Sequence, residues 1–288
     1  MQNDSTSPQG RIHALDGEVA LVTGGGRGFG RAIAEALARQ GAKVIIVSRT
    51  AAQVEDAAAA IRAAGGEAIG IPCDVTDRAQ VEATVAAATA RFGPITILVN
   101  NAGIPGPFGP IAETDPDDWW KALTIHLYAP LLFAHAVLPA MQARGGGRII
   151  NVASRAAIMF QPGLSAYVVG KTAQVQWAAH LDAEARDKGV RVFAIQPGDA
   201  PTEFAHATLR NDSAQKHLGG MLGVLGEWIE TIDPAPVLAK CGDRVVELAS
   251  GRWDGLAGRY LDVDWDWDET LAKGDTAAPA AATPPGAR

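Results

Sequence analysis

The sequence predicts an α/β fold in which a parallel sheet is covered by helices on both faces. Short runs rich in Val and Ile alternate with Ala-rich stretches of helical length along most of the 288 residues. The runs are apolar at successive positions, which is typical of strands that are buried on both faces. Strands that alternate with helices in this way are joined by crossovers and therefore run parallel.

The elements follow one another in a regular order. The predicted strands are 18–23, 43–48, 67–74, 95–103, 147–154 and 190–198. The predicted helices between them are 30–41, 51–66, 78–93, 116–143 and 165–189. Glycines end several of these helices, as expected at a helix C-terminus. We predict one domain over residues 15–263, preceded by an N-terminal extension over residues 1–14.

Two segments interrupt this order. Residues 203–232 mix polar and apolar residues and follow directly after a strand, where a mobile lid over a site would lie. An ordinary surface insertion would have the same composition. Residues 264–288 form a C-terminal extension, whose Ala/Pro-rich end cannot bury a core and is expected to be disordered.

The composition excludes several classes of protein. The net charge of −7 gives an acidic surface, which repels nucleic-acid phosphates. No apolar run approaches the roughly 20 residues that span a bilayer, and the N-terminus is polar, so we expect a cytoplasmic protein. The two cysteines, Cys73 and Cys241, lie far apart and favour a reducing compartment without a disulfide. The six histidines show no metal-ligand spacing, so no metal site is predicted.

A glycine cluster joins the first strand to the first helix. The sequence "VALVTGGGRGFGRAIAEAL" places Gly24, Gly28 and Gly30 in this turn. Glycines allow the backbone to approach a pyrophosphate, which a helix N-terminus favours. No Gly-Lys-Ser/Thr follows, so the loop is not a P-loop. A glycine-rich turn without a ligand is the alternative.

The end of the second strand bears on the choice of dinucleotide. An NAD site has an acidic residue about 20 positions after the glycines, which binds the ribose hydroxyls. Ser48 and Arg49 stand there instead, and Arg27 lies in the glycine loop. Arginine binds phosphate through two parallel hydrogen bonds, so these residues favour NADP over NAD. Both arginines could also be ordinary solvated charges.

Five motifs together resemble the short-chain dehydrogenase/reductase family. They are "TGGGRGFG", "CDVTD", "NNAG", "YVVGK" and "PGDAPT", and a serine stands 13 residues before the tyrosine. The motif residues are Thr23 to Gly30, Asp74 and Val75, Asn100 to Gly103, Ser154, Tyr167 and Lys171, and Pro197, Gly198 and Thr202. The resemblance extends over roughly residues 15–263.

The resemblance implies a Rossmann-type sheet of about seven strands, with 255–264 as the last one, and a homo-oligomer, either a dimer or a tetramer. It also implies a set of cofactor contacts, to which the charge argument adds Arg27, Ser48 and Arg49. The predicted cofactor-binding residues are Gly24, Arg27, Gly28, Phe29, Gly30, Ser48, Arg49, Asp74, Val75, Asn101, Ala102, Gly103, Tyr167, Lys171, Pro197, Gly198 and Thr202.

A tyrosine and a lysine share one helix face. Tyr167 and Lys171 are four residues apart, which brings their side chains together. A free tyrosine has a pKa of about 10, and a nearby ammonium favours the phenolate. We therefore predict a lowered Tyr167 pKa. In the mechanism that the resemblance implies, Tyr167 exchanges a proton with the substrate oxygen, Ser154 holds that oxygen, and a nicotinamide exchanges hydride with carbon.

One residue departs from the family pattern. The long helix of this family usually carries an asparagine that completes a proton relay, and the matching position here is His126. Histidine can bind the same water and can titrate near neutral pH. His126 either takes part in the relay as a fourth catalytic residue or packs as an ordinary helix histidine.

The lid segment suggests the substrate. Its apolar residues are Met221, Leu222, Leu225, Trp228 and Ile229, and Ile158, Met159 and Phe160 follow Ser154. They predict a pocket for a hydrophobic or aromatic ketone or secondary alcohol, although a helix packed on the body would show the same pattern. The predicted function is an NADP-dependent oxidoreductase. An NAD-dependent alcohol dehydrogenase and a non-catalytic nucleotide sensor are the alternatives.

Overall fold

A seven-stranded parallel sheet organises the part of the chain that the structure describes. The computed structural model describes residues 14–273, so the predicted disorder of 274–288 and most of the N-terminal extension lie outside the described residues. The strands are β1 Val19–Thr23, β2 Lys43–Ser48, β3 Ala68–Pro72, β4 Ile97–Asn100, β5 Gly147–Val152, β6 Val190–Gln196 and β7 Tyr260–Asp262. Their order is β3-β2-β1-β4-β5-β6-β7, and every pairing is parallel, as predicted.

Helices connect the strands. The α-helices are α1 Gly28–Arg39, α2 Ala51–Ala63, α3 Arg78–Phe92, α4 Pro116–Leu123, α5 Ala129–Ala143, α6 Ser165–Ala185, α7 Glu203–Leu209, α8 Asp212–His217, α9 Gly219–Thr231, α10 Pro234–Ala249 and α11 Trp267–Ala272. Local chemistry fixes several ends: the Asp77 carboxylate accepts from the Gln80 N–H at the start of α3, and Gly41 (φ +90°) follows α1.

The core lies in two layers, one on each face of the sheet. One layer joins the sheet to α1, α2 and α10, through residues such as Leu37, Val54 and Val245. The other joins it to α3, α5 and α6, through residues such as Phe133 and Val175. Because both faces are covered, β1 is buried at every position.

The structure differs from the sequence prediction in two helical regions. No element is predicted above for residues 233–254, where α10 lies and packs on α1 at a close approach between Gly242 and Ala36. The single helix predicted over 116–143 is α4 and α5 joined by a π-helical turn, Thr124–Tyr128.

That long helix also departs from the expectation about membranes. Pro116–Ala143 is long and apolar enough, by length and composition, to cross a bilayer, contrary to the prediction that no run approaches that length. Half of its most apolar window is buried inside the protein, because α5 packs on α3 and the sheet.

Cys73 and Cys241 are both buried and unpaired.

The strand order reverses between β1 and β4. β1 pairs with β2 on one side and with β4 on the other, so the connections after β1 and β4 leave in opposite directions. A crevice at the carboxyl ends of the strands is expected at such a point.

Candidate active site

A cleft of about 840 Å³ opens at this point of the sheet. All seventeen residues predicted to bind the cofactor line it, and so does Ser154. They come from the ends of β1 to β6, from the loops that follow these strands and from α1 and α6, and they are far apart in sequence. The parallel sheet brings them together because the carboxyl ends of its strands share one edge.

The glycine loop at the base of the cleft requires glycine for two reasons. Gly24 and Gly28 have φ values of +64° and +54°, which residues with a side chain rarely adopt. A Cβ on Gly30 would lie 2.3 Å from the Gly24 carbonyl oxygen. The loop therefore presents bare backbone at the N-terminus of α1, which is the arrangement that binds a pyrophosphate.

Side chains from β1 and β4 brace this loop. Thr23 Oγ1 accepts hydrogen bonds from the backbone N–H groups of Asn101 (3.0 Å) and Ala102 (3.1 Å). Asn101 Nδ2 donates to the carbonyl oxygens of Thr23 (2.9 Å) and Gly24 (3.3 Å). Asn101 lines the cleft as predicted, but its side chain holds the loop and is already bonded within the protein.

The β2 end of the cleft carries groups with free hydrogen-bonding capacity. Ser48 Oγ is buried and has no partner among the described residues, and a buried hydroxyl without a partner indicates a missing ligand group or water. Arg27 and Arg49 are exposed, and within residues 14–273 neither pairs with a carboxylate. The Asp74 carboxylate accepts from Thr76 N and Oγ1. This chemistry fits the ribose and phosphate end of a dinucleotide.

Three predicted catalytic residues meet at the opposite end. The Ser154 hydroxyl hydrogen-bonds the Tyr167 hydroxyl, and Lys171 Nζ lies 5.9 Å from the centre of the Tyr167 ring. Lys171 Nζ donates to the Val152 carbonyl oxygen (2.7 Å) and to Gln174 Oε1 (3.1 Å). The phenol and the ammonium therefore share one side of the cleft, as the four-residue spacing predicts.

The titration of this pair differs from the prediction. Burial raises the pKa of Tyr167 to about 12, against a smaller lowering by the hydrogen bond from Ser154. Burial also lowers the pKa of Lys171 to about 7. The predicted lowering of the Tyr167 pKa is wrong for the protein groups alone, because desolvation outweighs the hydrogen bond from Ser154 and the charge of Asp199 raises the pKa further.

His126 lies behind the cleft and is not among the described residues that line it. It is fully buried in the π-helical turn, and its Nε2 lies 2.9 Å from the Ile104 carbonyl oxygen. Its ring meets the Tyr167 ring edge-on at 5.2 Å. Burial, followed by the charge of Lys171, lowers the pKa of His126 to about 3, so the imidazole is neutral at physiological pH.

We predict that the His126→Asn variant keeps both limbs of the pH–rate profile between pH 5 and pH 9. A histidine with a pKa near 3 does not titrate in that range, so it cannot be the origin of a limb. The measurement is kcat/KM against pH for both proteins. Loss or displacement of one limb in the variant would instead place His126 in the proton relay.

Hydrophobic side chains cover the catalytic end of the cleft. Met221, Leu225 and Trp228, three of the five apolar residues named in the predicted lid segment, line it from one face of α9. Leu222 and Ile229 are not among the described residues that line the cleft, and Leu222 packs against Phe108 and Leu218.

The other apolar prediction fails. Met159 and Phe160 are about half exposed, and together with Ile158 they stand outside the set of described residues that line the cleft. Three aromatic residues that line the cleft were missed, Phe108, Trp120 and Phe204. The Phe204 ring lies 5.6 Å from the Tyr167 ring. The only signal for Phe204 was its position two residues after the "PGDAPT" motif.

An acidic side chain also borders the catalytic end. Asp199 accepts from Gln196 Nε2 (3.3 Å) and pairs with Arg155, whose guanidinium lies 2.9 Å from its carboxylate. Its negative charge contributes to the raised pKa of Tyr167.

Comparison with known proteins decides the family. Residues 18–213 match the family model for short chain dehydrogenases, which covers the glycine loop and the Ser154, Tyr167 and Lys171 positions. The chain belongs to this family. It is accordingly an NAD(P)-dependent oxidoreductase of the short-chain dehydrogenase/reductase type.

Individual short-chain dehydrogenases resemble it over most of its length. The short chain dehydrogenase pigC of Monascus ruber is 33% identical over 267 residues, which cover 91% of this chain and 83% of the relative. The D-threitol dehydrogenase of Mycolicibacterium smegmatis is 41% identical over 192 residues, or 67% of this chain and 74% of the relative. The structure of an NAD+-bound xylitol dehydrogenase superposes with a TM-score of 0.73 at 27% identity, covering 86% of this chain and 98% of that one.

Proposed function

We propose that this short-chain dehydrogenase transfers a hydride between NADP(H) and a hydrophobic or aromatic ketone or secondary alcohol. The observation that carries the proposal is the placement of Ser154, Tyr167 and Lys171 in the same cleft as the glycine cradle. The bound nicotinamide supplies or accepts the hydride at carbon.

The side chains manage the substrate oxygen. Ser154 and Tyr167, whose hydroxyls are already hydrogen-bonded, present two groups to one oxygen atom. In reduction, Tyr167 gives its proton to the oxygen as the C–O bond becomes a single bond, and in oxidation the tyrosinate takes the alcohol proton. A phenol held protonated by burial is suited to the donor role, which favours carbonyl reduction. The Lys171 charge stabilises the tyrosinate that is left behind.

The preference for NADP is supported by the charges at the β2 end. A 2′-phosphate would gain charge-assisted hydrogen bonds from Arg27 and Arg49 and would meet the free Ser48 hydroxyl. No carboxylate stands at the end of β2 to repel it.

We predict that Arg49→Glu lowers kcat/KM with NADPH by about 10- to 100-fold and leaves kcat/KM with NADH equal or higher. A hydrogen bond to a charged group contributes about 1.5–3 kcal/mol, and each 1.4 kcal/mol is tenfold. Arg39→Glu makes the same charge change at the far end of α1 and serves as the control. A wild-type protein that prefers NADH, with no response to Arg49→Glu, would contradict the assignment.

An NAD-dependent alcohol dehydrogenase is the second candidate. The relatives named above include a D-threitol dehydrogenase and an NAD+-bound xylitol dehydrogenase, which favours NAD and a polyol. Met221, Leu225 and Trp228 favour a bulkier apolar substrate. A panel of aromatic ketones, diones and polyols, assayed with each cofactor, decides between the two.

We also propose that the protein is a cytoplasmic homo-oligomer, either a dimer or a tetramer. The exposed Tyr128 and Leu131 on the long helix support a subunit contact, and the buried, unpaired cysteines support a reducing compartment. Light scattering of the purified protein tests the first point.

A further inference from the structure

One side chain outside the Ser154–Tyr167–Lys171 set holds the ammonium of Lys171. Lys171 is almost completely buried, and its Nζ donates to the Val152 carbonyl oxygen and to Gln174 Oε1, 3.1 Å away. Gln174 lies one helical turn after Lys171 on α6. Two of the three N–H bonds are thus engaged within the protein, and one is left for a group in the cleft.

Gln174 is an unusual choice for packing alone. It is fully buried, and its Nε2 has no hydrogen-bond partner among residues 14–273. A buried amide donor without a partner is unfavourable, whereas a leucine of similar size would fill the same space without that cost. The only side-chain hydrogen bond that the described structure gives Gln174 is the one that its oxygen accepts from Lys171.

The titratable groups around Lys171 explain why a neutral amide at Gln174 matters. Tyr167 precedes Lys171 on α6, His126 faces α6 from the π-helical turn, and Asp199 acts on Tyr167 from the loop after β6. None of the described carboxylates lies within ion-pair distance of Lys171. An amide oxygen favours the ammonium form without adding a negative charge that would cancel its field at Tyr167.

We propose that Gln174 is a positioning residue, which holds the Lys171 ammonium beside Tyr167 and helps to keep it charged without neutralising it. The inference rests on the proposed function, in which Lys171 stabilises the tyrosinate. Gln174 touches neither substrate nor cofactor, yet it sets the strength with which Lys171 stabilises the tyrosinate.

The direct test is the titration of Lys171 without cofactor or substrate, followed by NMR of ¹³C-labelled lysine and assigned with Lys171→Arg. Gln174→Leu removes the acceptor, so the Lys171 pKa should fall below that of the wild type. Gln174→Glu supplies a carboxylate, so the pKa should rise. Thr172→Val is the control, since it removes a hydrogen bond from the same helix to the Ala157 carbonyl oxygen without touching Lys171.

The kinetic readout is the pH at which the reductase kcat falls on the alkaline side. This limb should move down in Gln174→Leu and up in Gln174→Glu, by half a pH unit or more in each case, and should stay in place in Thr172→Val. Opposite shifts cannot come from a general loss of packing, and thermal melting of each variant checks that it is folded. Identical Lys171 titrations in wild type, Leu and Glu variants would overturn the proposal.

Tyr167→Phe, measured in parallel, separates this inference from the function on which it rests. Full turnover in Tyr167→Phe would overturn the proposed function. An inactive Tyr167→Phe together with unmoved limbs in both Gln174 variants would overturn the role of Gln174 alone.

Discussion

Replacement of Tyr167 by phenylalanine is expected to lower kcat by about 10²–10⁴-fold, the usual contribution of a general acid or base. The variant loses the hydroxyl that hydrogen-bonds Ser154, while the ring keeps its edge-on contact with His126 and its contact with Phe204. The Tyr167→Phe variant therefore lacks the proton donor but keeps the packing of the ring. The measurement is the loss of NADPH absorbance with the best ketone of the panel.

Cofactor affinity distinguishes lost chemistry from lost structure. The glycine loop and the β2 end are remote from the Tyr167 hydroxyl along the cleft, so the dissociation constant for NADPH should change by less than about threefold, or under about 0.7 kcal/mol. Tyr128→Phe, on an exposed part of the long helix, removes a hydroxyl of the same kind and should keep full activity. A Tyr167→Phe enzyme with near-normal kcat would rule out the proton-transfer role.

The dinucleotide cradle could be read from the sequence because its determinants are local. Gly24, Gly28 and Gly30 are required by backbone angles and by one close contact, all within seven residues. Most of the other predicted residues lie at or just after strand ends, and parallel strands bring their ends to one edge. The seventeen positions are those that the family resemblance and the charges near β2 indicate, and the order of the strands explains why they share one cleft.

The properties that depend on burial could not be read in this way. The spacing of Tyr167 and Lys171 predicts their contact, but the direction of the Tyr167 pKa depends on how much water the surrounding protein removes. His126 occupies a position that the resemblance connects with the proton relay, yet its complete burial and, second, the charge of Lys171 lower its pKa and keep it neutral. Gln174 belongs to no motif, so only its distance to Lys171 reveals it.

Apolar patterns gave mixed results for a similar reason. The lid segment predicts an apolar face, and α9 turns Met221, Leu225 and Trp228 toward the cleft. Met159 and Phe160 are equally apolar and lie close to Ser154 in sequence, but the turn after β5 directs them to the surface. Hydrophobicity identifies side chains that can line a pocket, and the path of the backbone decides which of them do.

Lys171→Met is expected to lower kcat and to change how the unfolding free energy depends on pH. The stability of the variant relative to wild type should be higher at neutral pH than at alkaline pH. Burial lowers the Lys171 pKa from 10.5 to about 7, so between these values the unfolded chain binds more protons than the folded one. Wild-type stability therefore rises with pH across this window. The penalty for the charged lysine is complete below pH 7 and vanishes above about pH 10.5.

Methionine carries no charge and so removes this dependence. One pKa unit corresponds to about 1.4 kcal/mol, so the difference in unfolding free energy between variant and wild type should change by about 4 kcal/mol from pH 6 to pH 10.5. The acceptors that Lys171 leaves at Val152 and Gln174 lower the stability of the variant by an amount that does not depend on pH, so the slope is the reliable quantity.

Urea denaturation of Lys171→Met and wild type at several pH values measures that slope. Lys188→Met, at an exposed lysine just beyond the end of α6, removes the same charge without burial and should give a flat difference. A flat difference for Lys171→Met as well would mean that the ammonium is solvated in the folded protein. In that case Lys171 could act on Tyr167 only weakly, because water screens an exposed charge. The expected slope together with a fall in kcat would show that the enzyme accepts a loss of stability to keep this charge beside Tyr167.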